Sequence, residues 1–255
     1  MILNDSHTHL DEYPSTELPG ILDRARDAGV GLIVCAGTTV ESSRACVELA
    51  GSYDAFVAGV GIHPMEARQP VDDETYSALR GMAAGNPRVV CISEIGLDFL
   101  PESPPRDVQD QVFRAQIRLA RELKLPIIFH SRESHPEVLR TLREERAHEV
   151  GAVMHYFQAD RATAQEAIDA GFHISLARPL LRLPDLQEVA RDIPLESIVL
   201  ETDAAPQPFK KYRRNWTEPR HVRDVAEKLA ELKGITVEEV AQTTTANLTR
   251  LLDRS

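Results

Sequence analysis

Eight short apolar runs recur along the chain, and they constrain its fold more than any other feature of the sequence. They are rich in Val and Ile and mostly apolar throughout, which is typical of parallel strands covered on both faces. In chain order the runs are "MILNDSH", "VGLIVCAGT", "AFVAGVGIH", "RVVCISEIG", "PIIFHS", "GAVMHY", "FHISLA" and "SIVLETD".

Helix-like stretches separate these runs. One is "TELPGILDRARDAG", which stops at Gly29, and the longest is "RDVQDQVFRAQIRLARELKLP", where Pro126 marks the stop. Eight strand–helix alternations with short loops predict an α/β fold, the (β/α)8 TIM barrel. The alternative is an open doubly wound sheet, although the sequence has no Gly-rich phosphate loop. Because no linker or shift of composition divides the chain, we expect a single domain over residues 1–255.

The composition, with 42% hydrophobic and 27% charged residues, is that of an ordinary soluble globular protein. The net charge of −11 argues against broad non-specific binding to nucleic acid but leaves room for a local basic patch. The three cysteines form no even set and no metal-type spacing, which favours a reducing, cytoplasmic setting. Neither a leader nor a membrane-spanning run is visible. We expect a monomer that does not bind membranes.

Polar residues with metal-binding side chains fall at the carboxyl ends of the apolar runs. His7 and His9 alternate around Thr8, so both imidazoles face the same side of the first strand. The whole set is His7, His9, His63, Glu94, His130, His155 and Asp203. Active sites of α/β barrels lie at this end of the strands, and so many converging polar groups are hard to reconcile with a packed core. The sequence therefore predicts a metal site.

The inventory of ligands bears on the number and type of metal ions. Imidazole with carboxylate suits zinc, manganese, iron or nickel better than magnesium or calcium alone. The set exceeds what one tetrahedral ion can use. We therefore predict two divalent ions, with zinc, manganese, magnesium, iron and nickel all open, and Glu94 of the fourth run as the bridging carboxylate.

At these residues the chain resembles the TatD-related metal-dependent hydrolases and deoxyribonucleases, and the resemblance covers its whole length. The matching motifs are "SHTHLD", "GIHP", "SEIGLDF", "QDQVFRAQIRLARELKLPIIFHSRES", "HYF", "ETDAAP", "RRNWTEP" and "TTTANLTRLL". The resemblance implies a barrel with a dinuclear metal centre and the hydrolysis of phosphodiesters, in DNA above all, by an exonuclease.

The resemblance also implies roles for individual residues. It assigns one metal to His7, His9, Glu94 and Asp203, and the other to Glu94, His130 and His155. Glu94 and Asp203 are then the catalytic residues, and Asp203 binds a metal and accepts or steers the proton of the attacking water. His63 would lie at the mouth of the site, where it binds substrate phosphate or tunes the site.

The loops around these motifs depart from the family pattern. Ser93 and Ala159 stand where the family has glycine, and Met65 stands where histidine is frequent. One residue is inserted just past Asp203, and within "RRNWTEP" the stretch "RNWTEP" is two residues longer than the usual "RNEP". The metal-binding positions are intact, whereas the loops that face substrate are not standard.

One dense basic run, "KKYRRNW", follows the eighth strand. We predict that its four basic residues hold a phosphate backbone, namely Lys210, Lys211, Arg213 and Arg214, and that Tyr212 or Trp216 stacks on a base. The alternative is a solvated loop with an aromatic packed on the barrel. Arg132 shares a strand face with His130, so either it binds substrate phosphate or it forms a structural ion pair.

The remaining polar residues are interpreted more plainly. Asp98 is expected to orient a metal ligand. Three histidines on helix patterns are predicted to lie on the surface, namely His135, His148 and His221. We interpret His173 as a hydrogen-bonded histidine of the core or rim. Asp5 and Ser6 either orient the neighbouring imidazoles or bond to the backbone.

Two other functions remain open. The wider amidohydrolase superfamily cleaves lactones, amides and other esters at a similar rim. Many of its dinuclear members bridge their ions with a carboxylated lysine on the fourth strand, where this chain has Glu94. A metal-binding scaffold without nuclease activity is the non-enzymatic alternative. The loss of a ligand would favour it, and none is lost.

Overall fold

An eight-stranded parallel sheet, with its strands in the order β1 to β8, forms the centre of the computed structural model, which describes residues 1–253. Each strand pairs in parallel with the next. The strands are β1 (Leu3–Thr8), β2 (Val30–Ala36), β3 (Phe56–Val60), β4 (Val89–Asp98), β5 (Ile127–Arg132), β6 (Ala152–Met154), β7 (His173–Leu176) and β8 (Ile198–Leu200).

The sheet closes on itself between β1 and the segment that follows β8. Thr8 forms a parallel bridge with Ala204. The backbone N–H of His9 donates to the carbonyl of Ala204 at 2.8 Å, and that of Asp203 donates to the carbonyl of His7 at 3.0 Å. The predicted barrel is confirmed, and the open doubly wound sheet is wrong. The same bonds that close the barrel bring three predicted metal ligands together.

Within residues 1–253, α-helices follow the strands as a barrel requires, one after each of β1 to β7 and two after β8. They are α1 (Leu18–Asp27), α2 (Val40–Ser52), α3 (Asp73–Ala83), α4 (Arg106–Leu123), α5 (His135–Glu144), α6 (Arg161–Asp169), α7 (Pro184–Asp192), α8 (Val222–Lys233) and α9 (Val237–Leu252). The predicted long helix is α4, which ends at Leu123. Lys124 follows in the left-handed conformation, φ 54°, two residues before Pro126. A reciprocal capping box between Thr236 and Glu239 starts α9.

The floor of the barrel is apolar. Six strands contribute one buried side chain each and α9 adds two, giving a cluster of Val34, Val57, Cys91, Ile128, Val153, Val199, Leu248 and Leu252. Ile128 and Val153 precede His130 and His155 by two residues, so they occupy the same strand faces one layer deeper. The polar centre therefore lies on an apolar layer that α9 covers from the amino-terminal end.

Strand β4 is irregular where it passes β5. Its register shifts between Ile92 and Ile95. Gly96 follows with φ +150°, and a Cβ atom there would stand 2.0 Å from the carbonyl oxygen of His130. Glycine is therefore required at this position, because a side chain would collide with a neighbouring backbone. The irregularity lets β4 place two carboxylates, Glu94 and Asp98, around one imidazole.

The three cysteines, Cys35, Cys46 and Cys91, are free and buried. None of the helices in the described part of the chain combines the length and the apolar character that a bilayer crossing requires.

Candidate metal centre

His7 and His9 meet at the carboxyl end of β1. Thr8 faces the other way, and its hydroxyl donates to the carbonyl of Val34 at 2.9 Å. The Nε2 atoms of the two imidazoles lie 3.2 Å apart. Nδ1 of His9 lies 3.3 Å from the carbonyl oxygen of Ala36, which leaves Nε2 as the nitrogen turned into the site. The alternation predicted from the sequence therefore gives a pair of converging nitrogens.

The carboxylate of Glu94 occupies the centre of the site and is buried. Its Oε2 oxygen faces the β1 pair, at 3.3 Å from Nε2 of His7 and 3.4 Å from Nε2 of His9. Its Oε1 oxygen faces a second set of imidazoles, at 2.9 Å from Nδ1 of His130, 2.7 Å from Nε2 of His155 and 3.3 Å from Nε2 of His63. One carboxylate thus presents a different oxygen to each of two groups of nitrogens.

The sequence pattern predicted Glu94 at the end of its strand, but in the structure Glu94 lies inside the strand. β4 continues for four residues beyond it, to Asp98. Ile95, Gly96 and Leu97 are buried strand residues, whereas the run predicted from the sequence ends at Gly96. Glu94 therefore projects from inside the barrel wall, which explains why it is more deeply buried than Asp203.

Asp203 approaches the site from the segment after β8. It has a left-handed backbone, with φ +53°. Its Oδ1 oxygen lies 3.4 Å from Nε2 of His9, and 29% of its side chain is exposed, compared with 3% for Glu94. Asp203 is therefore the carboxylate of the centre that solvent reaches.

The electrostatics of the centre favour ionised carboxylates. Burial alone would raise the pKa of Glu94, but the surrounding imidazoles, His155 foremost, hold it well below its usual value. Burial would also raise the pKa of Asp203, yet the hydrogen bond to His9 brings it down to about 2. Burial lowers the pKa of His7. Anionic oxygens beside a neutral imidazole are a suitable environment for a divalent cation.

Asp98 lies behind His130. Its Oδ2 oxygen is 2.9 Å from Nε2 of His130, on the far side of the ring from Glu94. Ser103 and the backbone N–H of Leu100 donate to its other oxygen. Asp98 therefore lies where a residue that orients His130 would have to lie, which agrees with the sequence-based prediction for its position.

The donor atoms fit metal ions as groups. Each of three sets brings one donor atom per residue within 4.8 Å of the others: His7 with His9 and Glu94, His7 with His155 and Asp203, and His63 with Glu94 and His130. Imidazole nitrogens that point at one another, with carboxylate oxygens between them, match the ligand preference of zinc, manganese, iron and nickel. The resemblance placed His63 at the mouth of the site. In the structure its Nε2 atom lies 3.3 Å from Oε1 of Glu94, among the other donors.

A cavity of about 510 Å³ opens above the centre. Its walls include Arg132, Glu133 and Tyr156. His135 also lines it, although the sequence analysis placed that residue on the surface. His135 is half-buried, and its Nδ1 lies 2.7 Å from the hydroxyl of Ser131. Its position just after "HSRES" was the available signal, and its place on a helix pattern obscured it.

The basic run lies outside the residues that line this cavity. Arg213 forms ion pairs with Glu17 and Glu218, and its guanidinium stacks 4.5 Å from the ring of Trp216. Lys210 donates to the carbonyl of Asn215 within the same loop, at 3.1 Å. Arg213 is thus already bound to the protein.

Lys211 and Arg214 are exposed and flank the ring of Tyr212, at 5.1 Å and 4.9 Å from its centre. Phe209 is 80% exposed and Tyr212 is 46% exposed. This part of the segment therefore presents cations and aromatic rings to solvent.

Three further polar residues were predicted from the sequence to be hydrogen-bonded, namely Asp5, Ser6 and His173. The Asp5 carboxylate accepts the backbone N–H groups of Thr202 at 2.9 Å and of His7 at 3.4 Å, and within residues 1–253 it bonds to no imidazole. Ser6 contacts Ser175. His173 begins β7, at the opposite end of the barrel, and its buried Nδ1 has no hydrogen-bond partner within residues 1–253. We interpreted His173 as hydrogen-bonded, and its buried nitrogen makes no such bond in this part of the chain.

A closed α/β barrel with histidines and carboxylates gathered at the carboxyl ends of its strands is the architecture of a class of metal-dependent hydrolases. The model of the TatD related DNase family matches residues 4–253. The chain belongs to this family, and it is a metal-dependent hydrolase.

Relatives support the same assignment. YabD of Bacillus subtilis strain 168, an uncharacterized metal-dependent hydrolase, is 36% identical over 256 residues and 98% of each chain is covered. The 3'-5' ssDNA/RNA exonuclease TatD of Citrobacter koseri is 33% identical over 242 residues, 91% of each chain. The crystal structure of the TatD homologue YjjV from Escherichia coli K12 has a TM-score of 0.90 and 28% identity, with 99% of this chain and 98% of that one covered.

Proposed function

We propose that the protein is a dinuclear metal-dependent phosphodiesterase that acts on DNA as an exonuclease. The observation that carries the proposal is the position of Glu94, whose two oxygens face two separate groups of imidazoles beneath one cavity. Single-stranded nucleic acid is favoured by the name of the Citrobacter relative, which describes an exonuclease of single-stranded DNA and RNA.

The chain offers enough donors for two ions that share Glu94. His7, His9 and Asp203 would hold one ion with one oxygen of Glu94, and His130 and His155 would hold the other with the second oxygen. Divalent ions at such a centre supply Lewis acidity toward phosphoryl oxygens and a water molecule of lowered pKa. His63, which also reaches Glu94, is left to touch substrate phosphate or to complete the second group.

The protein's own side chains would handle the proton and the phosphate. Asp203 is ionised and open to the cavity, and its Oδ1 oxygen is turned to His9, so Oδ2 would accept the proton of the attacking water. Arg132 lines the cavity with 53% of its side chain exposed and stands 3.7 Å from Asp98. Its guanidinium would hold a non-reacting phosphate in place.

The proposal predicts about two divalent ions per chain at saturation. Protein depleted of metal and then reconstituted with zinc or manganese should cleave a labelled single-stranded DNA and a small phosphodiester, but not a lactone. Elemental analysis and product gels measure the two properties together. Saturation at one ion would contradict the dinuclear centre, and turnover of the lactone alone would place the chain with the other amidohydrolases.

The exposed part of the basic run extends this proposal to the DNA backbone. Lys211 and Arg214, with Lys210 beside them, would contact phosphates beyond the one being cleaved, and Tyr212 would stack on a base. Arg213 is assigned to holding the loop, because Glu17, Glu218 and Trp216 already engage it.

Neutralising the exposed cations should flatten the salt dependence of DNA binding. For the double variant Lys211→Gln/Arg214→Gln, we expect the slope of log K against log salt to fall by about 0.7 for each lost contact to single-stranded DNA. Hydrolysis of a small phosphodiester should be unchanged. Binding titrations at several salt concentrations measure the slope.

The matched control removes the same charge from the opposite end of the barrel. Arg26 and Arg191 lie in the last turns of α1 and α7, which lead back to the amino ends of the strands. The variant Arg26→Gln/Arg191→Gln should keep the original slope. An equal change in both double variants would mean that net charge matters and that the loop does not contact DNA.

A further inference from the structure

Two imidazoles of the centre have a carboxylate on the side that faces away from Glu94. Nε2 of His130 lies 2.9 Å from Asp98, and Nδ1 of His155 lies 3.4 Å from Oε1 of Glu201. This nitrogen of His155 is buried and makes no hydrogen bond within residues 1–253, so Glu201 is the acceptor that the structure places beside it.

The β1 histidines differ in this respect. Nδ1 of His9 faces a neutral backbone carbonyl, that of Ala36, at 3.3 Å. Nδ1 of His7 is buried without a hydrogen-bond partner in the described part of the chain. Of the imidazoles around Glu94 within residues 1–253, His130 and His155 are therefore the two that have an anionic acceptor on the far side, since Nδ1 of His63 accepts the backbone N–H of Met65 at 3.1 Å.

Glu201 is held in a fixed position. Its Oε1 oxygen accepts the backbone N–H of Tyr156 at 2.7 Å, and its Oε2 oxygen accepts the hydroxyl of Ser175 at 2.6 Å. Tyr156 directly follows His155 and has a left-handed backbone, with φ +48°. The same carboxylate thus reaches both the ring of His155 and the peptide that follows it.

The burial of Glu201 calls for an explanation. Its side chain is fully buried, and within residues 1–253 its ion-pair partner is His155, with no lysine or arginine at ion-pair distance. A buried carboxylate without a cationic partner is expensive in free energy. Hydrogen bonds from a hydroxyl and one N–H offset part of that cost, and an imidazole N–H would supply the missing donor.

We propose that Glu201 is the positioning residue of His155 and that, with Asp98 behind His130, it makes the site of Glu94, His130 and His155 the tighter of two metal sites. A carboxylate that accepts the far N–H of an imidazole fixes the tautomer and makes the other nitrogen a stronger metal ligand. The inference rests on the proposed dinuclear centre.

The test is the stepwise metal affinity of the whole protein, measured with Co²⁺ by competition with a chelator. The wild-type protein should bind two ions with clearly different affinities. Glu201→Gln should weaken the tighter step by about 10–100-fold, the usual effect of losing an outer-shell partner. The weaker step should not change. The visible spectrum of the first Co²⁺ ion should also shift, because the spectrum reports the geometry of its ligands.

A matched control separates positioning from general support of the fold. Asp5 is a second fully buried carboxylate nearby. It accepts from Thr202, the residue after Glu201, and from the backbone N–H of His7, bonds that an amide oxygen can also accept, and within residues 1–253 it bonds to no imidazole. Asp5→Asn should therefore leave both metal affinities unchanged, even if it lowers the unfolding temperature. Glu201→Asp keeps the buried charge but withdraws it from the ring, so this variant should also weaken the tighter step.

The outcomes distinguish the inference from the proposed function. If the wild-type protein binds two ions with equal affinity, or if either Glu201 variant keeps the wild-type value, Glu201 does not position His155, and the dinuclear proposal stands. An equal loss in Asp5→Asn would also overturn the inference. If the wild-type protein binds fewer than two ions, the dinuclear centre itself is wrong.

Discussion

Replacing Glu94 with glutamine is expected to remove both metal ions and to lower kcat/KM by more than about 100-fold. This loss is larger than the effect of removing a residue that only supports a metal ligand, which is about 10–100-fold. The physical reason is the position of Glu94 between two groups of imidazoles, 2.7 Å from His155 on one side and 3.3 Å from His7 on the other. Glutamine has one carbonyl oxygen, so its amide nitrogen would be turned toward one group. An N–H donor cannot bind a metal ion, and the neutral side chain also removes the bridging charge.

Glu133→Gln is the matched control for this variant. Glu133 is an exposed carboxylate that lines the same cavity, so the two variants make the same chemical change in the same space. We expect Glu133→Gln to keep both metals and most of the activity. Metal content and turnover should be measured on the same preparations. If Glu94→Gln retained two ions with turnover near that of the wild type, Glu94 would not bridge them.

Much of the fold could be predicted because parallel barrel strands are buried on both faces. Runs such as "VGLIVCAGT" and "PIIFHS" are mostly apolar. β2 lies within the first run, and β5 begins in the second and continues one residue past it, to Arg132. The end of β4 was predicted less well. The buried glycine at position 96 looks like the end of a strand in sequence, whereas it permits a close approach to β5 and the strand continues to Asp98.

The side chains that surround Glu94 could also be selected as candidates from the sequence. Once a barrel is inferred, residues at the carboxyl ends of different strands must converge, however far apart they are in the chain. Residues that support the ligands carry no such signal. Glu201 immediately precedes Thr202 and Asp203 in "ETDAAP", but its partners are Ser175 and Tyr156 on other strands and loops.

The basic run shows the same limit for charged residues. Arg213 and Arg214 are adjacent and chemically identical, and sequence gives no basis for separating them. In the structure one is bound to Glu17 and Glu218, and the other is exposed beside Tyr212. Distant carboxylates decide which cation is available to a ligand, and their positions depend on the whole fold.

Asp203→Asn is expected to lower kcat by about 10²–10⁴-fold, the usual contribution of a general base. Metal should remain bound to Glu94, His130 and His155, because the ion pair that Asp203 makes within residues 1–253 is with His9 of the other group. Asparagine tolerates the left-handed backbone at this position better than most residues do, so the segment that closes the barrel should keep its shape. This result would differ from that of Glu94→Gln, because a loss of turnover with metal retained separates proton transfer from metal binding.

The measurement that decides between these roles is turnover of the Asp203→Asn protein as metal is added in excess. If Asp203 only held an ion, saturating metal would restore wild-type kcat, since the amide oxygen can still face His9. If Asp203 accepts the proton of the attacking water, kcat should stay low at every metal concentration, because a neutral amide cannot take up that proton. Restored turnover would therefore leave Asp203 as a metal ligand alone. The proton acceptor would then have to be sought among the other side chains that line the cavity, such as His63 and His135.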